Sequence, residues 1–277
     1  MKKIIILLGI ILLVLLIYFY QYSSKEINEE VIQMVNNVTS PNATITIVYD
    51  NNEYDKNLKT AWGFSCLVEL ENKNILFDTG GDSPTLLSNM EKLKIDPKKF
   101  DMIVLSHIHG DHTGGLTGVL EINPDVTVYV PKSFSNSFKD EIKSYGATFV
   151  EVSGPTKILD GVYTTGELGT WIKEQSMIIK TDKGLVVITG CAHPGIVNIV
   201  RKAKEITKED IYLVTGGFHL GSASDADLTQ IINAFRELGV KKVGPCHCSG
   251  DRCRELFEEE YKDDFIEVGV GKIIKIT

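Results

Sequence analysis

Short apolar runs that stop abruptly at glycine or small polar residues recur along the chain. Residues 43–49 alternate apolar and polar positions. Residues 64–70, 74–77, 100–105, 126–130, 148–152, 176–181, 184–188 and 211–214 are equally short and mostly aliphatic. Runs of this length, bounded by turn residues, predict buried or half-buried strands. Between them, residues 83–93, 196–208, 227–238 and 251–261 read as helices; Ile196, Val200 and Ala203 show the helical spacing. Strands alternating with helices through tight polar loops predict a layered α/β architecture.

One run differs from the rest. Ile4 to Tyr20 spans 17 residues without a charge and follows Lys2 and Lys3. At about 1.5 Å rise per residue it is close to the shortest helix that crosses a bilayer. It also matches the core of a signal peptide, although no small-x-small cleavage site follows. An uncleaved anchor over residues 1–22 is the favoured reading, with Tyr18, Tyr20 and Tyr22 at the interface and the lysines cytoplasmic. A polar tether then occupies 23–42, and a catalytic domain over 43–277 faces the extracytoplasmic side. Secretion is the alternative.

The chemistry concentrates where predicted strands end. The run 100–105 leads into Ser106-His107-Ile108-His109-Gly110-Asp111-His112-Thr113-Gly114-Gly115-Leu116, which holds three of the six histidines in the chain. Neutral imidazole is the commonest ligand for zinc, iron and copper, and a nearby carboxylate suits the same ions. In an extended segment His107 and His109 point the same way, so they would hold one ion, while Asp111 and His112 would hold a second. Three later strand ends repeat the pattern with Gly190-Cys191-Ala192-His193, Gly216-Gly217-Phe218-His219 and Cys246-His247-Cys248.

His-x-His-x-Asp-His after an apolar strand resembles the signature of the metallo-β-lactamase superfamily. The resemblance implies an αββα sandwich, two mixed sheets with helices on the outer faces. It implies two divalent metal ions, zinc first, with iron or manganese as alternatives. Asp78, in Asp-Thr-Gly after the strand 74–77, would support the histidine loop without touching metal, and His247 would stand at the last ligand position. Two positions depart from the pattern. Glu167 stands where a further ligand histidine is usual. Cys191 stands where an aspartate commonly bridges the ions, with His193 two residues on. His193 is the favoured ligand of this group; Cys191 and Glu167 stay open. His219 is either a ligand or a catalytic group contacting substrate, and Asp111 is expected both to ligate and to carry a proton. The segments Gly-Cys-Ala-His-Pro-Gly-Ile-Val-Asn (190–198), Gly-Gly-Phe-His-Leu (216–220) and His-Cys-Ser-Gly (247–250) resemble a narrower subgroup. That subgroup is the 7,8-dihydropterin-6-yl-methyl-4-(β-D-ribofuranosyl)aminobenzene 5′-phosphate synthases, and the likeness extends over about 43–277.

Charge and cysteine content refine this reading. The net charge of −8 leaves no general basic surface, so no nucleic-acid partner is expected. A small phosphate-containing substrate remains compatible, because metal ions supply positive charge locally. Five cysteines leave at least one thiol unpaired in an exported domain. Cys246, Cys248 and Cys253 do not have the spacing of a structural zinc finger. No Gly-x-Ser-x-Gly elbow is present. The expected activity is a metal-dependent hydrolase using a metal-activated hydroxide on a phosphate ester or phosphodiester. The alternatives are a synthase-type transferase and a non-catalytic, membrane-tethered metal-binding or redox protein.

Overall fold

The computed structural model describes residues 42–276. The first half runs β1 (Ala43–Tyr49), β2 (Ser65–Leu70), β3 (Lys73–Phe77), α1 (Ser83–Leu93), β4 (Met102–Val104), α2 (Gly110–Thr113), α3 (Leu116–Ile122), β5 (Thr127–Pro131), α4 (Asn136–Ser144) and β6 (Thr148–Val152). The second runs β7 (Thr156–Leu159), β8 (Val162–Thr164), β9 (Met177–Thr181), β10 (Gly184–Thr189), α5 (Ile196–Thr207), β11 (Ile211–Gly217), α6 (Asp225–Glu237), β12 (Lys242–Cys246) and α7 (Asp251–Tyr261). Then β13 (Ile273–Ile276), not anticipated from the apolar pattern, returns to the first half.

Among the described residues these strands form two mixed sheets, ordered β13-β1-β2-β3-β4-β5-β6 and β12-β11-β10-β9-β8-β7. In the first, β3, β4, β5 and β6 are parallel neighbours; in the second, β10, β11 and β12 are. Parallel strands need crossovers, and α1, α3, α5 and α6 lie in those connections. The continuous apolar run Leu185-Val186-Val187-Ile188 shows why both faces of a sheet are covered. Val186 and Ile188 join the cluster between the sheets, with Ile45, Phe77 and Val104. Leu185 and Val187 face the other way, onto Ile199, Val200 and Phe235 of α5 and α6. A third cluster packs Leu86, Val119 and Ile142 of α1, α3 and α4 onto the outside of the first sheet. The layers are therefore helix, sheet, sheet, helix, the αββα sandwich expected from the resemblance.

Local chemistry explains the helix starts. Asp82 Oδ1 accepts the Thr85 N–H at 2.7 Å and Pro84 opens α1. Ser224 caps α6 by accepting from Asp227 N.

The membrane-anchored placement is not upheld. No helix among the described residues is long and apolar enough to cross a bilayer. The longest, α6, has 13 residues, about 20 Å against a hydrocarbon core of about 30 Å. The run read as an anchor, and the tether up to residue 41, lie outside the described residues. All five cysteines are free thiols.

Candidate metal centre

The loops after β3, β4, β10, β11 and β12 meet above the ends of the parallel strands, the usual place for a site in such sheets. They carry Asp78, the 106–113 segment, Cys191 with His193, His219, and His247 with Cys248. All six histidines of the chain come together here. Ring centroids lie 4.7 Å apart for His107 and His109, 4.8 Å for His107 and His193, 4.2 Å for His107 and His112, 5.0 Å for His112 and His247, and 4.4 Å for His193 and His219.

Potential ligand atoms sort into three groups, each with members within 4.8 Å of one another. His107, His109 and His193 form one. Asp111, His112, Cys191 and His247 form the second. Cys191, His219 and Cys248 form the third, sharing Cys191 with the second. The structure brings His107 together with His109, and Asp111 together with His112. The segment is not all loop, however. His109 begins a short helix, and Asp111 and His112 sit on its single turn.

Supporting side chains aim these groups. Asp78 is fully buried. Its Oδ1 accepts Ser106 N at 2.6 Å, and its Oδ2 accepts Ser106 Oγ and His112 Nδ1, each at 2.7 Å. This leaves His112 Nε2 turned to the site, 3.1 Å from Cys191 Sγ and 3.6 Å from Asp111 Oδ2. Because the Ser106 hydroxyl donates to Asp78, its oxygen is free to accept from His107 Nδ1 at 2.9 Å. His247 is set the same way, with Nδ1 donating to Asn51 Oδ1 at 2.9 Å. Its Nε2 lies 3.3 Å from Asp111 Oδ2 without hydrogen-bond geometry. The Nε2 atoms of His107, His193 and His247 are buried and have no hydrogen-bond partner. Buried polar atoms are normally paired, so three orphaned lone pairs facing one space fit cations.

Electrostatics agree with that fit. Burial, then the neighbouring imidazoles, hold His107 far below the usual histidine value. The same causes lower His193 to about 4. Both are neutral at ordinary pH, the form in which an imidazole can accept a cation. Burial raises the Asp111 carboxyl, but His247 and His112 outweigh it and keep the group ionised. Cys191 and His219 beside it hold the Cys248 thiol below the ordinary cysteine range.

The backbone is strained at the same places. Seven non-glycine residues among those described have positive φ. Lys94 and Lys208 are left-handed helix C-caps, and Lys262 directly follows α7. The other four, Asp78, Ala192, His219 and His247, with φ of 55°, 60°, 57° and 49°, all stand in the converging loops. Each such residue costs about 1–3 kcal/mol and persists only where surrounding structure imposes it.

Glu167 belongs to none of the ligand groups, and its Oε1 accepts Ser133 N at 2.6 Å, so a metal-facing role for Glu167 is set aside. The carboxylate that matters is Glu174, which sequence reading missed. It is 1% exposed. Its Oε1 accepts Thr189 Oγ1, Gly190 N, Cys191 N and Ala192 N, and its Oε2 accepts His193 N, all between 2.8 and 3.1 Å. Burial pushes this carboxyl up, and the amide donors pull it back. The one sequence cue is indirect: four consecutive N–H groups in a tight turn need an acceptor. Asn51, and Trp62 with its ring 4.9 Å from His247, were likewise not legible.

Comparison with known proteins places this geometry. The model of the metallo-β-lactamase superfamily matches residues 63–201. The chain is 35% identical to a 7,8-dihydropterin-6-methyl-4-(β-D-ribofuranosyl)-aminobenzene-5′-phosphate synthase of Methanocaldococcus jannaschii, over 83% of this chain and 95% of that one. Among solved structures it is similar to Tm1679, described as a metal-dependent hydrolase of the β-lactamase superfamily, with TM-score 0.72 and 30% identity over 85% of this chain and 99% of that one. The metallo-β-lactamase-fold protein YhfI of Bacillus subtilis shares the fold, with TM-score 0.65 at 14% identity over 85% of this chain and all of that one. With its histidine motif, its two facing sheets and these relatives, the chain belongs to the metallo-β-lactamase superfamily.

Proposed function

We propose that this protein is a metal-dependent hydrolase acting on a phosphate ester or phosphodiester. The observation that carries the reading is the meeting of five of the six histidines with Asp111 and Cys191 in two adjoining ligand groups, with His219 beside them. His107, His109 and His193 would hold one divalent ion. Asp111, His112, His247 and Cys191 would hold the other. Zinc suits this mixture of imidazole, carboxylate and thiol first, with iron or manganese as alternatives. When bound, the ions supply Lewis acidity and make water a competent nucleophile near neutral pH.

The residues of the chain do the positioning. Asp78 and Asn51 keep the Nε2 atoms of His112 and His247 aimed inward, and Glu174 holds the 190–193 turn that presents Cys191 and His193. Asp111 keeps negative charge beside two imidazoles. His219 stands exposed at the rim next to His193, placed to hand a proton to a departing oxygen. Beside His193 a groove of about 580 Å³ opens, lined among others by Trp171, Asn198, Arg201 and Lys202. Arg201 on its wall suits a phosphate-bearing substrate despite the overall negative charge, while Lys202 beside it is paired with Glu205 of the same wall.

A second reading, a synthase-type transferase, is favoured by the 35% identity to the archaeal synthase. One preparation tests both. Protein purified without added metal is analysed for bound metal and then offered a phosphodiester panel. In parallel it is assayed for forming the dihydropterin–aminobenzene product for which that relative is named. Phosphodiester turnover lost in His109→Ala supports the hydrolase. Product formation without ester turnover replaces it with the transferase. Full metal content with neither activity leaves a metal-binding protein.

A further inference from the structure

The third ligand group contains a feature that neither reading uses. Cys191 follows β10 and Cys248 follows β12, 57 positions apart, yet Cys248 Sγ donates to the Cys191 carbonyl at 3.7 Å. The two sulfurs and a ring nitrogen of His219 all lie within 4.8 Å of one another. Both thiols are free. Their surroundings differ in a useful way. Cys191 is 3% exposed, whereas Cys248 is somewhat less enclosed and neighbours the exposed His219. Cys66, Cys246 and Cys253 are buried and belong to none of the ligand groups.

Cys248 is also held in place. Its sulfur packs over Gly217, where an added Cβ would come within 2.7 Å of it. Its neighbour His247 and the neighbour of Cys191, Ala192, both have positive φ, so the two turns are fixed by the fold. When the less enclosed of two neighbouring thiols is oxidised first, the second can resolve it, so that oxidation ends in a disulfide and stops there.

We propose that Cys191 and Cys248 form a reversible disulfide, with Cys248 as the thiol that meets the oxidant and Cys191 as the thiol that resolves it. The oxidant is a peroxide. Cys248 attacks one peroxide oxygen, the O–O bond breaks, and water leaves, giving a sulfenic acid. Cys191 then attacks that sulfur, the S–S bond forms, and the sulfenic oxygen departs as a second water with the Cys191 proton. Two electrons pass from the thiol pair to the peroxide. A small-molecule dithiol returns both thiols by exchange.

The disulfide has a consequence for the metal centre, and this consequence alone rests on the function proposed above. Cys191 Sγ is a member of the group with Asp111, His112 and His247, 3.1 Å from His112 Nε2. Tied to Cys248, it no longer offers a thiolate there. Oxidation would then weaken the second ion while leaving His107, His109 and His193 intact.

The test uses the full chain, metal-free, titrated with hydrogen peroxide and read by intact mass and by a non-reducing peptide map. Expected are the loss of two hydrogens, a crosslink joining the Cys191 and Cys248 peptides, and reversal by dithiothreitol. In Cys191→Ser, Cys248 should run on to the sulfinic acid; in Cys248→Ser no crosslink should form. A crosslink to Cys246 or Cys253, sulfinic acid at Cys248 in the wild type, or five unreactive thiols would each overturn the proposal. Cobalt titration of the oxidised protein reads the consequence separately, through loss of the thiolate-to-cobalt absorption. If the crosslink forms and that absorption persists, Cys191 is not a donor to the second ion, and the metal assignment fails while the thiol pair stands.

Discussion

Asp78 and His112 stand 34 positions apart in the chain and meet at 2.7 Å with neither side chain exposed. One carboxylate oxygen thereby fixes the tautomer of the imidazole and, through Ser106, that of His107. Replacing Asp78 by Ala should lower metal affinity in the Asp111, His112, Cys191 and His247 group by about 10- to 100-fold, as loss of an orienting partner usually does. It also strands the buried Ser106 amide, at a cost of about 1–3 kcal/mol. Chelator competition and denaturant melts of the same variant measure the two effects.

Glu174 and Glu167 offer a sharp contrast. Glu174→Ala removes the acceptor for four amides and a hydroxyl inside the fold, and should cost roughly 3 kcal/mol or more. It should also release the 190–193 turn, so metal content falls with stability. Glu167→Ala loses one bond to Ser133 N at a partly open turn, and should cost about 1 kcal/mol with metal content unchanged. Equal effects from the two substitutions would refute the assignment.

The two ligand groups should empty separately. His109→Ala should remove one ion and His247→Ala the other, each leaving about one equivalent by elemental analysis if two bind in the wild type. Removing both ions with a chelator should abolish turnover, and readdition should restore it.

Acid should act on His193 in a defined direction. Burial, with His219 and His109 beside it, keeps its pKa near 4, against an ordinary value of 6.5. Between these values the unfolded chain binds the extra proton and the folded chain does not. Stability of the metal-free protein from this group therefore falls as pH drops from 6.5 to 4 and levels off below. His112, held up by Asp78 and Asp111, acts in the opposite sense. The difference between wild type and His193→Gln, melted across this range, isolates the contribution. Metal held by His107, His109 and His193 should persist below pH 6 for the same reason.

Arg201 tests the groove. It forms no ion pair or hydrogen bond among the described residues, while the neighbouring Lys202 is paired with Glu205 at 3.2 Å. Arg201→Ala should raise KM for a phosphate-bearing substrate about tenfold, the loss of one charge-assisted contact, and leave kcat near its original value. An unchanged KM would place the substrate elsewhere.

Sequence alone determined most of the elements and the chemistry at their ends, though not β13 or the short helix at Gly110–Thr113. Strand-length apolar runs such as 184–188, turn glycines and capping residues act over a few positions, and so does the spacing of His107, His109, Asp111 and His112. Those are local properties, and the histidine motif was enough to imply the αββα sandwich by resemblance. Tertiary structure decided which groups meet. At Gly190, an added Cβ would collide with Ser106 and Asp78, so the two sheets approach too closely there for any side chain, a fact no local pattern carries. Asn51 reaches His247 across 196 positions. Glu174 looks like any other polar residue until stacking of the sheets buries it under four amides. The partners of a carboxylate or an imidazole depend on register and layer packing, which act between segments distant in the chain.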